Sequence, residues 1–414
     1  MRAFIQHFIL LLITTTCYAQ VVTETNPPEN IKSIVFNGTT ADQFPIVQLG
    51  EQITLEFDDL TASEQDYYYE IEHFDYNWTS SQLLKSQYLN GMDRQRIIDY
   101  VNSYNTLQPF SNYRLTIPNN EVSLKVTGNY MLLIYDSYDE LVFSRRFIIY
   151  SNKVSVGMNI KRSRDFAYLN EKQVVQLTIE TGGAQLVNPK KEVKIALLQN
   201  YYWPKMIPNI APQYTIGSQL IYRYDRETSF FGGNEYYNFD TKDLRAPSAA
   251  ISHISLYDVY EHHLFPNEPR NARAYTYFPD INGDFVIRTL QGGDNAREAE
   301  YTKVHFTLPY SSDFNLDDIY VFGKFNNYAL GSENKMHYNE ETGNLETSVL
   351  LKQGFYNYKY VRVNNAKKAD LNSISGNFHI TENHYLAIVY YRDFGGQYDG
   401  IIGIGSINST EVSN

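Results

Sequence analysis

Cysteine is nearly missing from this chain. Its 414 residues include one, Cys17, within an N-terminal stretch built like a secretory leader. Arg2 is the only charge near the start, Phe8 to Ile13 form a short apolar core, and Cys17-Tyr18-Ala19 offers a small-x-small cleavage site. Residues 1–19 are expected to be a signal peptide, cleaved after Ala19 to leave Gln20 first. The alternative is a lipoprotein acylated at Cys17, but Thr14-Thr15-Thr16 lacks the usual Leu and the Gly or Ala. Cleavage removes the only thiol, which excludes disulfides and Cys-ligated metals and leaves stability to the core. No later segment reaches the roughly 18 apolar residues of a transmembrane helix. Basic residues are also short, 35 against 47 acidic, for a net charge of -12 that becomes -13 without Arg2. That balance excludes nucleic-acid binding, which relies on a basic face. Gly-x-Ser-x-Gly and Gly-rich phosphate loops are absent, and tryptophan occurs only twice.

Tyrosine and phenylalanine are plentiful instead, 37 and 23, and both suit strands. Period-two patterning marks strands at Ile53 to Phe57, Tyr67 to Ile71, Asn129 to Tyr135 and Leu141 to Tyr150. The last two are joined by the turn Asp136-Ser137-Tyr138-Asp139. Gln82 to Tyr88 allows a turn or two of helix. The pattern restarts near Ser151-Asn152-Lys153, with strands at Val154 to Ile160, Val174 to Ile179 and Val193 to Gln199, then a Pro- and Tyr-rich region. Tyr275 to Phe278 and Phe285 to Ile287 read as a hairpin around Asn282-Gly283, which supplies the positive φ angles of a tight turn. Strands at Tyr301 to Leu308, Ile319 to Phe322, Leu345 to Leu351 and Phe355 to Val363 close the chain. The fold class expected is all-β, as tandem immunoglobulin-like sandwiches over 20–152, 153–300 and 301–414.

Candidate chemistry is thin. His253 and Glu261-His262-His263 form the densest His/acid group, but adjacent strand histidines point to opposite faces, so an exposed loop is expected rather than a metal site. Asp280-Ile281-Asn282-Gly283-Asp284 resembles part of a calcium loop. Arg288 and Thr289 stand where the closing Glu belongs, so a turn is expected. Asp58-Asp59 and Asp317-Asp318 read as solvated strand ends, not acid/base couples. Asn37-Gly38-Thr39 and Asn77-Trp78-Thr79 are formal glycosylation sequons, relevant only in a eukaryotic secretory pathway. The many acidic residues raise polysaccharide or peptidoglycan hydrolysis as a further class. Its sign would be paired carboxylates roughly 5–10 Å apart in a cleft.

Ile319 to Tyr328, with Gly323-Lys324-Phe325-Asn326-Asn327-Tyr328, resembles the Gly-x-Phe-Asn-x-aromatic run of glycogen- and starch-binding modules. That resemblance implies an early-set sandwich for the last domain. It also raises a secreted carbohydrate-binding protein as the alternative function, with Tyr328 as the stacking ring. A second aromatic platform is missing, because Arg362 to Lys368 contains no ring. One ring supplies about 1–3 kcal/mol by analogy with base stacking, too little alone against the cost of binding.

A second resemblance covers about residues 26 to 404. Ser375-Gly376-Asn377-Phe378 to Tyr385, Val389-Tyr390-Tyr391-Arg392, Tyr398-Asp399 and Ile401-Ile402-Gly403 are similar to the C-terminal signature of the type IX secretion system plug family of Bacteroidetes. Leu350 to Tyr358, His73-Phe74-Asp75 with Trp78, Tyr88 to Gly91, Asp99-Tyr100, Ser103 with Asn105-Thr106, and Gly128-Asn129-Tyr130 fit the same family. Phe74 stands where that family often has Cys. The resemblance implies a non-enzymatic periplasmic subunit, associated with the inner face of the outer membrane. Its partner would be the large outer-membrane translocon β-barrel, whose periplasmic mouth it closes. It implies no catalytic residues, cofactor, metal or small-molecule substrate, and it assigns no interface residues.

Overall fold

The computed structural model describes residues 22–38, 44–184, 186–314 and 317–410. The leader reading, with Cys17, lies outside the described residues. The described chain is all-β, and its helices are single turns, including the one expected near Tyr88 at Lys85–Tyr88.

The first pair of sheets follows from alternation. In Ile53–Asp59, Ile53, Leu55 and Phe57 face inward and are fully covered. This strand lies between Ile31–Asn37 and Ser111–Ile117, with Asp99–Asn102 beyond. The facing sheet orders Ile46–Gln48, Leu141–Tyr150, Gly128–Tyr135, Tyr68–Phe74 and Gln95–Arg96. Ile71, Tyr130, Leu132 and Phe147 complete one core between them, each such burial being worth about 1.5–3 kcal/mol. Gly128 is required at its position. Its φ is +156°, and a Cβ there would meet His73 Nε2 at 2.1 Å.

The second pair of sheets is made by distant segments. Ser155–Arg162 and Lys172–Glu180 pair with each other, and the latter continues to Gln219–Tyr222 and Ser229–Phe231. The facing sheet joins Val193–Gln199 to His384–Tyr391 and Gly400–Asn408. The third pair of sheets lies between those segments in sequence. One sheet orders Ile251–Leu256, Tyr260–Leu264, Tyr301–Pro309, Asn344–Lys352 and His337–Asn339. The other gathers Tyr237–Asp240, Phe285–Ile287, Asp318–Phe322 and Ala369–Asp370 around Gly354–Val363.

Hydrogen bonding therefore cuts across the linear division at 153–300 and 301–414. The third sandwich is an insertion into the second, which closes only when the chain returns at His384. That strand is buried along its whole length. Tyr385, Ala387, Val389 and Tyr391 face the second core, while Leu386, Ile388 and Tyr390 cover Ile46 and Ile148 of the first sandwich. Period two explains how one strand serves two cores.

Two further expectations are corrected. Tyr275 to Phe278 belongs to no strand, so no hairpin forms there. The turn itself is present: Asn282 and Gly283 have φ of 55° and 85°. It is held by the Asn357 side-chain carbonyl, which accepts from Ile281 N at 2.7 Å, while Phe285–Ile287 pairs with Gly354–Tyr356. Asp58 and Asp59 are not solvated; both are completely buried. Asp318 bonds Lys335 at 2.7 Å and Asp317 bonds Arg362 at 2.8 Å near the surface.

Candidate functional site

The sequence motifs converge on the junctions between sandwiches. Asp75, Arg392 and Asp399 meet where the first and second sandwiches join. Arg392 Nη2 lies 2.8 Å from Asp75 and 3.0 Å from Asp399, and Lys194 Nζ lies 3.1 Å from Asp399. Asp399 is completely buried, and its backbone N donates to Asp75 Oδ1 at 3.0 Å. Tyr390 donates from its hydroxyl to Asn129 at 2.8 Å. Trp78 stands edge-on to Trp203 with ring centres 4.9 Å apart, and Arg146 lies 4.3 Å above Trp78.

The first and third sandwiches are joined around Asp58. Its carboxylate accepts from Lys352 Nζ at 2.8 Å, Tyr301 hydroxyl at 2.7 Å and Asn112 Nδ2 at 2.7 Å. Lys352 is 2% exposed and Asp58 0%, so both charges are out of water and matched. Asp59 faces its own sandwich, accepting from Asn30, Thr61 and Tyr67.

The neck of the insertion is polar and buried. Asn383 Nδ2 donates to Gly232 O at 2.9 Å, and Asn200 Nδ2 donates to Asn383 Oδ1 at 2.8 Å. Glu235 lies in this neck, 1% exposed, accepting from Tyr275 hydroxyl and from Glu382 N. Burial, aided by the charge of Asp280, pushes its carboxyl up to about 7. Burial also brings Lys359 down to about 8. Asp280, from the calcium-like segment, spends its oxygens on Tyr236 N and Asn282 N. Asp284 accepts from Lys324 Nζ at 2.7 Å.

Glu235 gives a signed pH dependence. Its folded-state value is raised above the ordinary 4.5, so between about 4.5 and 7 the folded chain keeps a proton that the unfolded chain has released. Stability from this group falls as pH rises through that window. His73 and His262, each held at about 4 by burial, act oppositely, since both must charge when unfolded in acid. The difference between variants isolates Glu235. The melting temperature of Glu235→Gln minus that of wild type is expected to grow from pH 4.5 to 7, then level off. A difference constant across that range would contradict this assignment.

Tyr328 stands at a cavity of about 620 Å³ where the sandwiches meet, with Glu24, Arg146, Tyr201, Trp203 and Lys324 also on its wall. A stacking platform needs an open ring face. The Tyr328 ring is edge-on to Tyr202 at 5.1 Å and tilted against Phe322 at 5.1 Å, and burial raises its hydroxyl well above the usual range. The two strands beside it pair directly: Asp318–Phe322 lies antiparallel to Gly354–Val363. The neighbouring Asn327 Nδ2 donates to Glu24 at 2.9 Å.

The histidines expected in an exposed loop are instead on strands. His253 lies in Ile251–Leu256, and Glu261, His262 and His263 in Tyr260–Leu264. As adjacent strand residues must, His262 faces inward and is buried, while His263 faces out. His305, from Tyr301–Pro309, completes the outward row. Sequence reasoning missed it, because it stands alone far along the chain. Burial, with charge repulsion among these rings, holds His263 below the usual range; burial does the same for His305 against the pull of Glu261.

Buried ion pairs and hydrogen bonds at the junctions and in the neck tie the three sandwiches together. Residues 31–151 match the family described as type 9 secretion system plug protein 1st domain. The first sandwich therefore matches the plug family, which is not an enzyme family. That match supports a plug-like role with a partner in that secretion system, and it points to an exported, envelope-associated protein. A crystal structure of a hypothetical protein from Parabacteroides merdae ATCC 43184 is similar over nearly the whole fold. Its TM-score is 0.88 at 31% identity, covering 93% of this chain and 98% of that one. No curated protein matches the chain. Among the described residues, no helix is long and apolar enough to cross a membrane.

Proposed function

We propose that this chain is the periplasmic plug that binds the inner mouth of the outer-membrane translocon barrel and closes it between substrates. The match of residues 31–151 to the plug family's first domain carries this reading. Two features of the chain support it. Closing a wide pore needs a body that does not deform, and three sandwiches tied by buried ion pairs and hydrogen bonds supply one. Closing it reversibly needs contact area outside the core. Within the matched domain, Leu84, Met92, Ile98, Tyr104 and Leu107 remain at least 50% exposed, and exposed apolar side chains of this kind mark protein contact surfaces when they cluster. The test is capture of a large outer-membrane barrel with this chain after mild solubilisation. The periplasmic location follows from the expected signal peptide, and N-terminal sequencing of the mature protein from a periplasmic fraction checks it.

A further inference from the structure

We propose that the outer face of the third sandwich carries a divalent transition-metal site, of the zinc class, formed by Glu261, His263 and His305. The basis is register. His253 pairs with His263 across one strand boundary, and His263 pairs with His305 across the next. Side chains at paired positions project from the same face, one strand spacing apart. Glu261 precedes His263 by two positions and so shares that face. Strand geometry, not loop flexibility, brings these groups together.

The donor set suits the ion. Imidazole nitrogen and carboxylate oxygen are zinc's usual protein ligands after thiolate, whereas calcium and magnesium want oxygen alone. One ligand atom from each of the three residues lies within 4.8 Å of the others. A tetrahedral zinc with bonds of about 2.0–2.1 Å needs donors about 3.3 Å apart, a gap that side-chain rotation on this half-exposed surface can close. His305 Nε2 already sits 2.9 Å from Glu261 Oε2, so the ion would replace one hydrogen bond.

Outer partners are also in place. His305 Nδ1 lies 2.8 Å from Ser348 Oγ. That contact fixes the ring so that Nε2 faces Glu261, as a metal-ligating histidine requires of its second nitrogen. Lys303 Nζ holds Glu261 Oε1 at 3.1 Å, leaving Oε2 toward the site. His253 stacks on His263 with ring centres 4.0 Å apart and planes 9° off parallel. It braces His263 and stands outside the ligand group. The three ligands are partly exposed, which leaves a coordination position for water or for a donor from another protein.

Titration calorimetry of the full mature chain with zinc chloride tests this. Saturable binding of one ion per chain is expected, with calcium chloride giving none. His263→Ala and His305→Ala are expected to abolish it. Ser348→Ala is expected to weaken it about 10–100-fold, the usual cost of losing an outer-shell partner. His253→Ala is expected to retain it. Melting curves without metal confirm that each variant is folded, and only in wild type and His253→Ala should zinc fully raise the melting temperature. Absence of saturable zinc binding by wild type would overturn the proposal. So would binding that survives unchanged in a folded His263→Ala/His305→Ala double variant.

Discussion

Lys352→Ala is expected to destabilise the protein by about 3–5 kcal/mol, the scale observed when one partner of a buried ion pair is removed. The Lys352 ammonium is 2.8 Å from Asp58, 3.2 Å from Ala296 O and 4.0 Å from the Phe110 ring centre. Removing it leaves the Asp58 carboxylate buried with Tyr301 and Asn112 as its donors but no counter-charge. Because Asp58 belongs to the first sandwich and Lys352 to the third, the loss falls on their junction as well as on local stability. Calorimetric unfolding is expected to show the first transition at a lower temperature and less coupling between transitions. Asp58→Asn combined with Lys352→Met is expected to recover most of the loss, since replacing both charges removes the unpaired one. A Lys352→Ala protein that unfolds like wild type would show that the junction does not depend on this pair.

Ending the chain at Glu300 is expected to unfold the second sandwich as well as remove most of the third. Val193–Gln199 finds its ladder partner in His384–Tyr391, and the second core draws Tyr385, Ala387, Val389, Tyr391 and Ile402 from the C-terminal strands. Without them, Ile195 and Leu197 face water. Hydrogen exchange is expected to show residues 154–199 losing most of the roughly 5–15 kcal/mol that protects amides opening only on global unfolding. The first sandwich loses the cover of Ile388 and Tyr390 but keeps its own two sheets. Retained protection of 154–199 in the shortened chain would mean that the second domain closes within the first 300 residues, contrary to the observed pairing.

Much of this fold is legible in the sequence because half-buried strands alternate. Ile53 to Phe57, Asn129 to Tyr135 and Leu141 to Tyr150 are strands where period two places them. The insertion is not legible, since pairing of Val193–Gln199 with His384–Tyr391 is set by distant contacts that no local pattern records. The Asp58-Asp59 doublet misleads for a related reason. Acidic pairs at strand ends are ordinarily solvated, and the lysine that buries Asp58 lies 294 residues away. The motif residues prove to be framework. Asp75, Asp399 and Gly128 hold junctions and close contacts, which explains why they mark a fold without marking a contact surface. The histidine row was half visible, as His253 and His263, but the parallel neighbour that supplies His305 is a tertiary fact.

The most direct test of the plug reading is affinity capture. The tagged chain is recovered from outer membranes solubilised in mild detergent, and its partners are identified by mass spectrometry. A large β-barrel of the secretion system is expected in near-equimolar amount, lost when the tag is placed on a protein lacking residues 31–151. Recovery of the intact, folded chain with no such barrel, from membranes in which the barrel is present, would contradict the reading.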